Sequence, residues 1–137
     1  MVDFDLGELS APLEALRPEV KAAYKRLDSR WQAITNQLRQ LSLPCSICYQ
    51  ISSRDDGGPE GVYLEYRKWK GIKRICIVSC WFEHSHYGME MAEDVTPYEE
   101  WSGEQRVDML RHVPDLFRVA VEQVKRFVEQ TKDEENA

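Results

Sequence analysis

Four cysteines and two closely spaced histidines are the residues whose types could do thiol or metal chemistry. Cys45 and Cys48 stand in "CSIC", and Cys76, Cys80, His84 and His86 in "ICIVSCWFEHSH". A tetrahedral zinc site needs thiolates that converge to about 2.3 Å from one ion. The alternation in "CSICYQIS" reads as a half-buried strand, which sends Cys45 and Cys48 to opposite faces. In "IKRICIVSCWF", also read as a strand, Cys76 and Cys80 share a face but lie roughly 13 Å apart at about 3.3 Å per residue. On this reading the thiols scatter and serve as small buried hydrophobes.

His84 and His86 follow that strand in a polar stretch. An H-x-H pair on extended chain puts both rings on one side, and Cys80, Glu83, Glu90, Glu93 or Asp94 could complete a site. These two histidines are therefore the metal candidates, although loop histidines are more often simply solvated. His112 reads as a helix-face residue. The sequence has no G-x-x-x-x-G-K phosphate loop and no G-x-G-x-x-G fingerprint, so no cofactor is expected. No serine or cysteine sits in a recognisable nucleophile setting with its base. No catalytic residue is assigned, and the reading leans away from an enzyme.

The most unusual local composition is "EYRKWKGIKRI". Five of the eight residues from 67 to 74 are cations: Arg67, Lys68, Lys70, Lys73 and Arg74. Trp69 sits among them in a chain whose net charge is −6. Cations interleaved with aromatics suit phosphates and stacked bases, and they suit an acidic protein surface equally well. The competing reading is protective, because lysines at a hairpin end keep sheet edges from pairing with other chains. Arg67, Lys68, Trp69, Lys70, Lys73 and Arg74 are the candidate binding residues. Trp69 and Trp101 are the candidate exposed anchors, whereas Trp31 and Trp81 read as core.

Elements must position these groups. After Pro18, placed in a first helical turn, the apolar residues Val20, Tyr24, Leu27, Trp31, Ile34, Leu38 and Leu41 step by four and three. That spacing marks one long helix with a narrow apolar stripe, lying on its own sheet or forming a coiled-coil seam. Residues 1–16 carry few signals and are expected to fray or form a short helix. Pro44 ends the long helix. Strands follow at 45–51, at "VYLEYRKW" and at 72–82, the last two joined by Lys70 and Gly71 as a tight hairpin. A short fourth strand is expected at 87–92. Ser102 with Gln105 resembles a capping box and opens a C-terminal helix, which Pro114 kinks or splits. Residues 131–137 form a frayed acidic tail.

The fold class expected is α+β: a long N-terminal helix, an antiparallel meander of three or four strands, and a kinked C-terminal helix. At 137 residues and 42% hydrophobic, the chain fits one domain, 1–137, with a real core. Its start resembles no secretory signal, and no window approaches a membrane span. The expected location is cytoplasmic, with reduced thiols and no membrane partner.

The helix–strands–helix order resembles the core of restriction-endonuclease-like nucleases. Asp56, Glu65 and Lys68 would stand in for their metal-binding acids and lysine. The acidic-x-Lys spacing of that family is missing, however. The reading put first is a non-enzymatic protein-interaction or regulatory module whose protein partner is unidentified, a homodimer being one form. A nucleic-acid binder using the 67–74 hairpin comes second. A metal-binding protein or metal-dependent enzyme at His84 and His86 comes third.

Overall fold

Helix α1 runs from Leu6 to Gln40 in the computed structural model, which describes residues 3–135. It begins twelve residues before Pro18, and both Pro12 and Pro18 lie inside it. Residues 6–16 are therefore helical rather than frayed. The physical basis is a pattern that continues upstream. Leu6, Leu9, Leu13, Leu16 and Val20 recur eighteen residues later as Tyr24, Leu27, Trp31, Ile34 and Leu38. Eighteen residues are five turns of α-helix, so all ten side chains fall on one stripe about 100° wide.

Four antiparallel strands follow in sequential order: β1 (Ile47–Ser53), β2 (Gly61–Trp69), β3 (Ile72–Ser85) and β4 (Gly88–Pro97). The fold is α+β, as the pattern of elements requires. Lys70 and Gly71 both take positive φ, 52° and 84°, and close the β2–β3 hairpin opposite the Trp69–Ile72 pair. Two left-handed residues match the twist of the strands they join. The second tight turn, His86–Tyr87, makes β3 and β4 longer than the sequence suggests. Because β2 starts opposite Cys80, residues beyond it on β3 pair with β4 alone.

After β4, a 3-10 turn (Tyr98–Glu100) leads to α2 (Gly103–Asp108), a second 3-10 turn (Met109–His112) and α3 (Val113–Glu135). Ser102 and Gln105 form the reciprocal capping box. Pro114 lies in the first turn of α3, so it splits the helical region rather than kinking one helix. The acidic tail is helical as far as Glu135; residues 136 and 137 lie outside the described residues.

The chain divides into two units, residues 1–34 and 35–137. In the second unit, residues that pair directly across strands share a face. One face carries Ile47, Tyr66 and Ile75 in a row, then Leu64 and Ile77, all buried. Leu116 and Ala120 of α3 are also buried, and α3 packs beside β1. Leu38, Leu41 and Leu43 line one side of an apolar groove of about 280 Å³, with Phe117, Val121 and Val124 on the other. In the first unit, Trp31 is 1% exposed, but burial falls away toward the N-terminus: Leu16 is 48% exposed and Leu6 75%.

Candidate functional site

The second face of the sheet gathers most of the chemistry-bearing side chains. Strand pairing sets Cys48, Glu65 and Cys76 in one row across β1, β2 and β3. Cys80 and Glu93 pair further along the same face. Three of the four thiols thus share a face, a convergence set by strand register rather than by spacing within a strand. Glu65 is the buried charged residue of this face, at 8% exposure. Its carboxylate accepts from Arg67 Nη1 at 3.3 Å. The same guanidinium donates to both Glu93 oxygens at 3.1 Å, a bidentate pair.

The surroundings set the ionisation of these groups. Burial raises the Glu65 carboxyl above its ordinary value, and Arg67 opposes the rise. Cys48 is pushed up to about 12, first by burial and then by the neighbouring Glu65 charge. Burial pushes Cys76 up to about 11. Both thiols are therefore protonated at neutral pH, the opposite of an activated nucleophile. Carbonyls of the 54–60 loop receive the adjoining polar groups: Gln50 Nε2 donates to Gly58 O at 2.9 Å, and Tyr63 OH and Cys80 Sγ donate to Pro59 O at 2.6 and 3.1 Å.

The basic hairpin is less free than its composition suggests. Arg67 is committed to the two glutamates, and its guanidinium carbon lies 5.7 Å from the Trp69 ring centroid. Arg74 pairs with Glu99 at 3.1 Å. Lys73 Nζ donates to Leu43 O at 3.0 Å and sits 6.0 Å from the Tyr66 ring centroid. Lys68 and Lys70 are exposed, and Trp69 is half-buried. Of the two tryptophans read as anchors, Trp101 is buried at 3% exposure, its indole N–H on Thr96 O at 2.9 Å. Trp81, read as core, is half-buried.

The histidines do not keep the extended geometry that would place their rings together. His84 lies on β3 opposite Met89, whereas His86 lies in the turn that reverses the chain. Among the described residues, no three His, Cys, Asp or Glu side chains are arranged to hold a metal ion. No described helix is long and apolar enough to cross a membrane.

The surface that sequence reasoning missed is on α1. Leu6, Leu9, Leu13, Leu16 and Val20 are between 48% and 75% exposed, all on one stripe. The signal was present in the eighteen-residue recurrence, but Pro18 read as a helix start concealed it. No family model, curated protein or solved structure matches this chain.

Proposed function

We propose that this chain is a non-enzymatic protein-interaction module whose docking element is the first half of α1. One observation carries the reading: five aliphatic side chains, Leu6 to Val20, form a continuous apolar stripe open to solvent on a helix. Contiguous exposed apolar surface of this kind marks interaction sites. The energetics of the helix point the same way. Isolated helices of about 12–15 residues are marginal in water, and each internal proline costs about 3 kcal/mol. A segment with Pro12 and Pro18 and no buried face of its own gains most from a partner that covers the stripe. The sheet chemistry is consistent with a structural role, since Cys48 and Cys76 are held protonated and Glu65 and Glu93 are paired with Arg67.

A photo-crosslinking amino acid at position 10, beside the stripe, tests this in cells. The reading expects a discrete protein adduct that disappears when Leu9→Ser and Leu13→Ser are added. A chain that yields no leucine-dependent adduct would remove the reading.

A further inference from the structure

We infer that the free edge of β4 takes an extended segment of a partner protein as an added strand, and that this segment alternates basic and aliphatic residues. The site belongs to the sheet unit and is independent of the α1 stripe. The sheet runs β1-β2-β3-β4, so β1 and β4 are its edges. The β1 edge is covered: α3 packs beside it, and Cys48 N–H donates to Gln123 Oε1 at 3.4 Å. Where β3 outruns β2, Phe82 N–H donates to Glu60 Oε1 at 2.6 Å. β4 has no such cover. The two-residue turn at His86–Tyr87 makes Ser85 and Gly88 a hydrogen-bonded pair, and bonded and non-bonded pairs alternate from there. Met89, Met91, Glu93 and Val95 therefore point N–H and C=O away from β3. Among the described residues, nothing bonds to these outward groups. Such an open row is a template for strand addition.

The side chains along that edge specify the occupant. On one face Met89 and Met91 stand beside Phe82, all between 40% and 58% exposed, with His84 opposite Met89. The other face carries Glu83, Glu90 and Asp94, all exposed. Glu83 and Glu90 pair directly across the strands, where like charges are destabilising. From 79 to 100 the chain has six acids and no lysine or arginine. Arg67 and Arg74, from outside that stretch, pair with Glu93 and Glu99. Glu83 accepts only from the Trp81 indole, at 3.3 Å, and Glu83, Glu90 and Asp94 have no ion-pair partner among the described residues. A second copy is a poor occupant, because pairing β4 with itself around Ala92 sets Glu90 opposite Asp94. A strand with Lys or Arg opposite Glu90 and Asp94 relieves the repulsion instead. Its alternate residues then fall on the other face, where aliphatic side chains cover Met89 and Met91.

The test titrates the full chain into a fluorescein-labelled, end-blocked peptide, Val-Lys-Thr-Lys-Val-Lys-Val, and reads polarisation. The peptide should bind saturably, and the same peptide with glutamates for lysines should not. Glu90→Lys with Asp94→Lys should reverse that preference. Met91→Pro removes an outward donor and leaves the ladder to β3 intact; it should weaken binding about tenfold or more, with circular dichroism unchanged. N-methylated peptides test the backbone without altering the protein. Methylating two amides on one side of the peptide should cost about tenfold or more, and methylating two on the opposite side should cost little. The sensitive set is the Thr and Val amides for an antiparallel strand and the Lys amides for a parallel one. Equal loss from both sets, or from neither, would overturn strand addition. No saturable binding, or equal binding of the glutamate peptide, would overturn the inference outright. Binding lost in the Leu9→Ser, Leu13→Ser chain but kept in Met91→Pro would move the peptide to α1 and overturn it as well.

Discussion

At the scale of single residues, the Cys48–Glu65–Cys76 row makes its own predictions. Both thiols hold their protons more tightly in the folded chain than the ordinary cysteine value of 9.0. Between pH 9 and about 11 to 12 the folded state therefore binds more protons than the unfolded state. The stability this contributes is complete below pH 9 and falls as pH rises through that window. Denaturant unfolding at pH 8 and pH 10.5 should show the fall, and Cys76→Ala should reduce its slope. At neutral pH, alkylation of the folded protein should spare Cys48 and Cys76. Glu65→Gln removes the charge beside Cys48, so its alkylation should quicken by about tenfold for each unit the pKa drops. Burial, the larger cause, should still keep it slower than a free thiol. Arg67 is the counterpart: Arg67→Ala strands the buried Glu65 and should cost about 3 kcal/mol. Losing Arg67 raises the Glu65 carboxyl further, so the folded state takes up protons that the unfolded state releases. The penalty should thus be smaller near pH 4.5 and grow as pH rises toward 8.

At the scale of elements, the turns and register explain what the sequence showed and what it hid. The β2–β3 hairpin was legible because Lys70–Gly71 leaves a two-residue turn no other geometry. The capping box was legible because it is local. Which thiols share a face was not, because that depends on pairing across three strands. The register of β1 against β2 shifts between Gln50 and Ser52, and no spacing within one strand reports a bulge in the next. Gly61 lies beside that irregularity at φ 154°, and a Cβ there would meet Ser52 O at 2.0 Å. Gly61→Ala should therefore cost more than the roughly 1–3 kcal/mol of backbone strain alone, read as a lowered denaturation midpoint. Composition could not show that Arg67 and Arg74 are already paired with carboxylates. With Lys68, Lys70 and Lys73 exposed and without a carboxylate partner, any oligonucleotide binding should follow salt with a log–log slope no steeper than about −3. A slope near about −4.5 would mean that Arg67 and Arg74 also leave their carboxylates.

At the scale of the whole molecule, the two units do different work. Residues 35–137 supply a sheet whose buried face and α3 form a core, and residues 1–34 supply a helix whose apolar stripe is exposed from Leu6 to Val20. The stripe was half legible: its C-terminal part gave the cleanest period in the sequence, while Pro18 masked its continuation to Leu6. Prolines in a helix remove donors, but they do not change which residues face one side. Because Leu9 and Leu13 are exposed, Leu9→Ser with Leu13→Ser should change unfolding of the sheet unit by no more than about 0.5 kcal/mol while removing association. Amide hydrogen exchange of residues 6–24 in the full chain, alone and with the protein recovered by the position-10 crosslink, tests the central claim most directly. If a partner covers the stripe, these amides should gain protection when it binds, while the strands β1–β4 stay unchanged. Protection of residues 6–24 that is the same with and without that protein, and the same in the Leu9→Ser, Leu13→Ser chain, would contradict it.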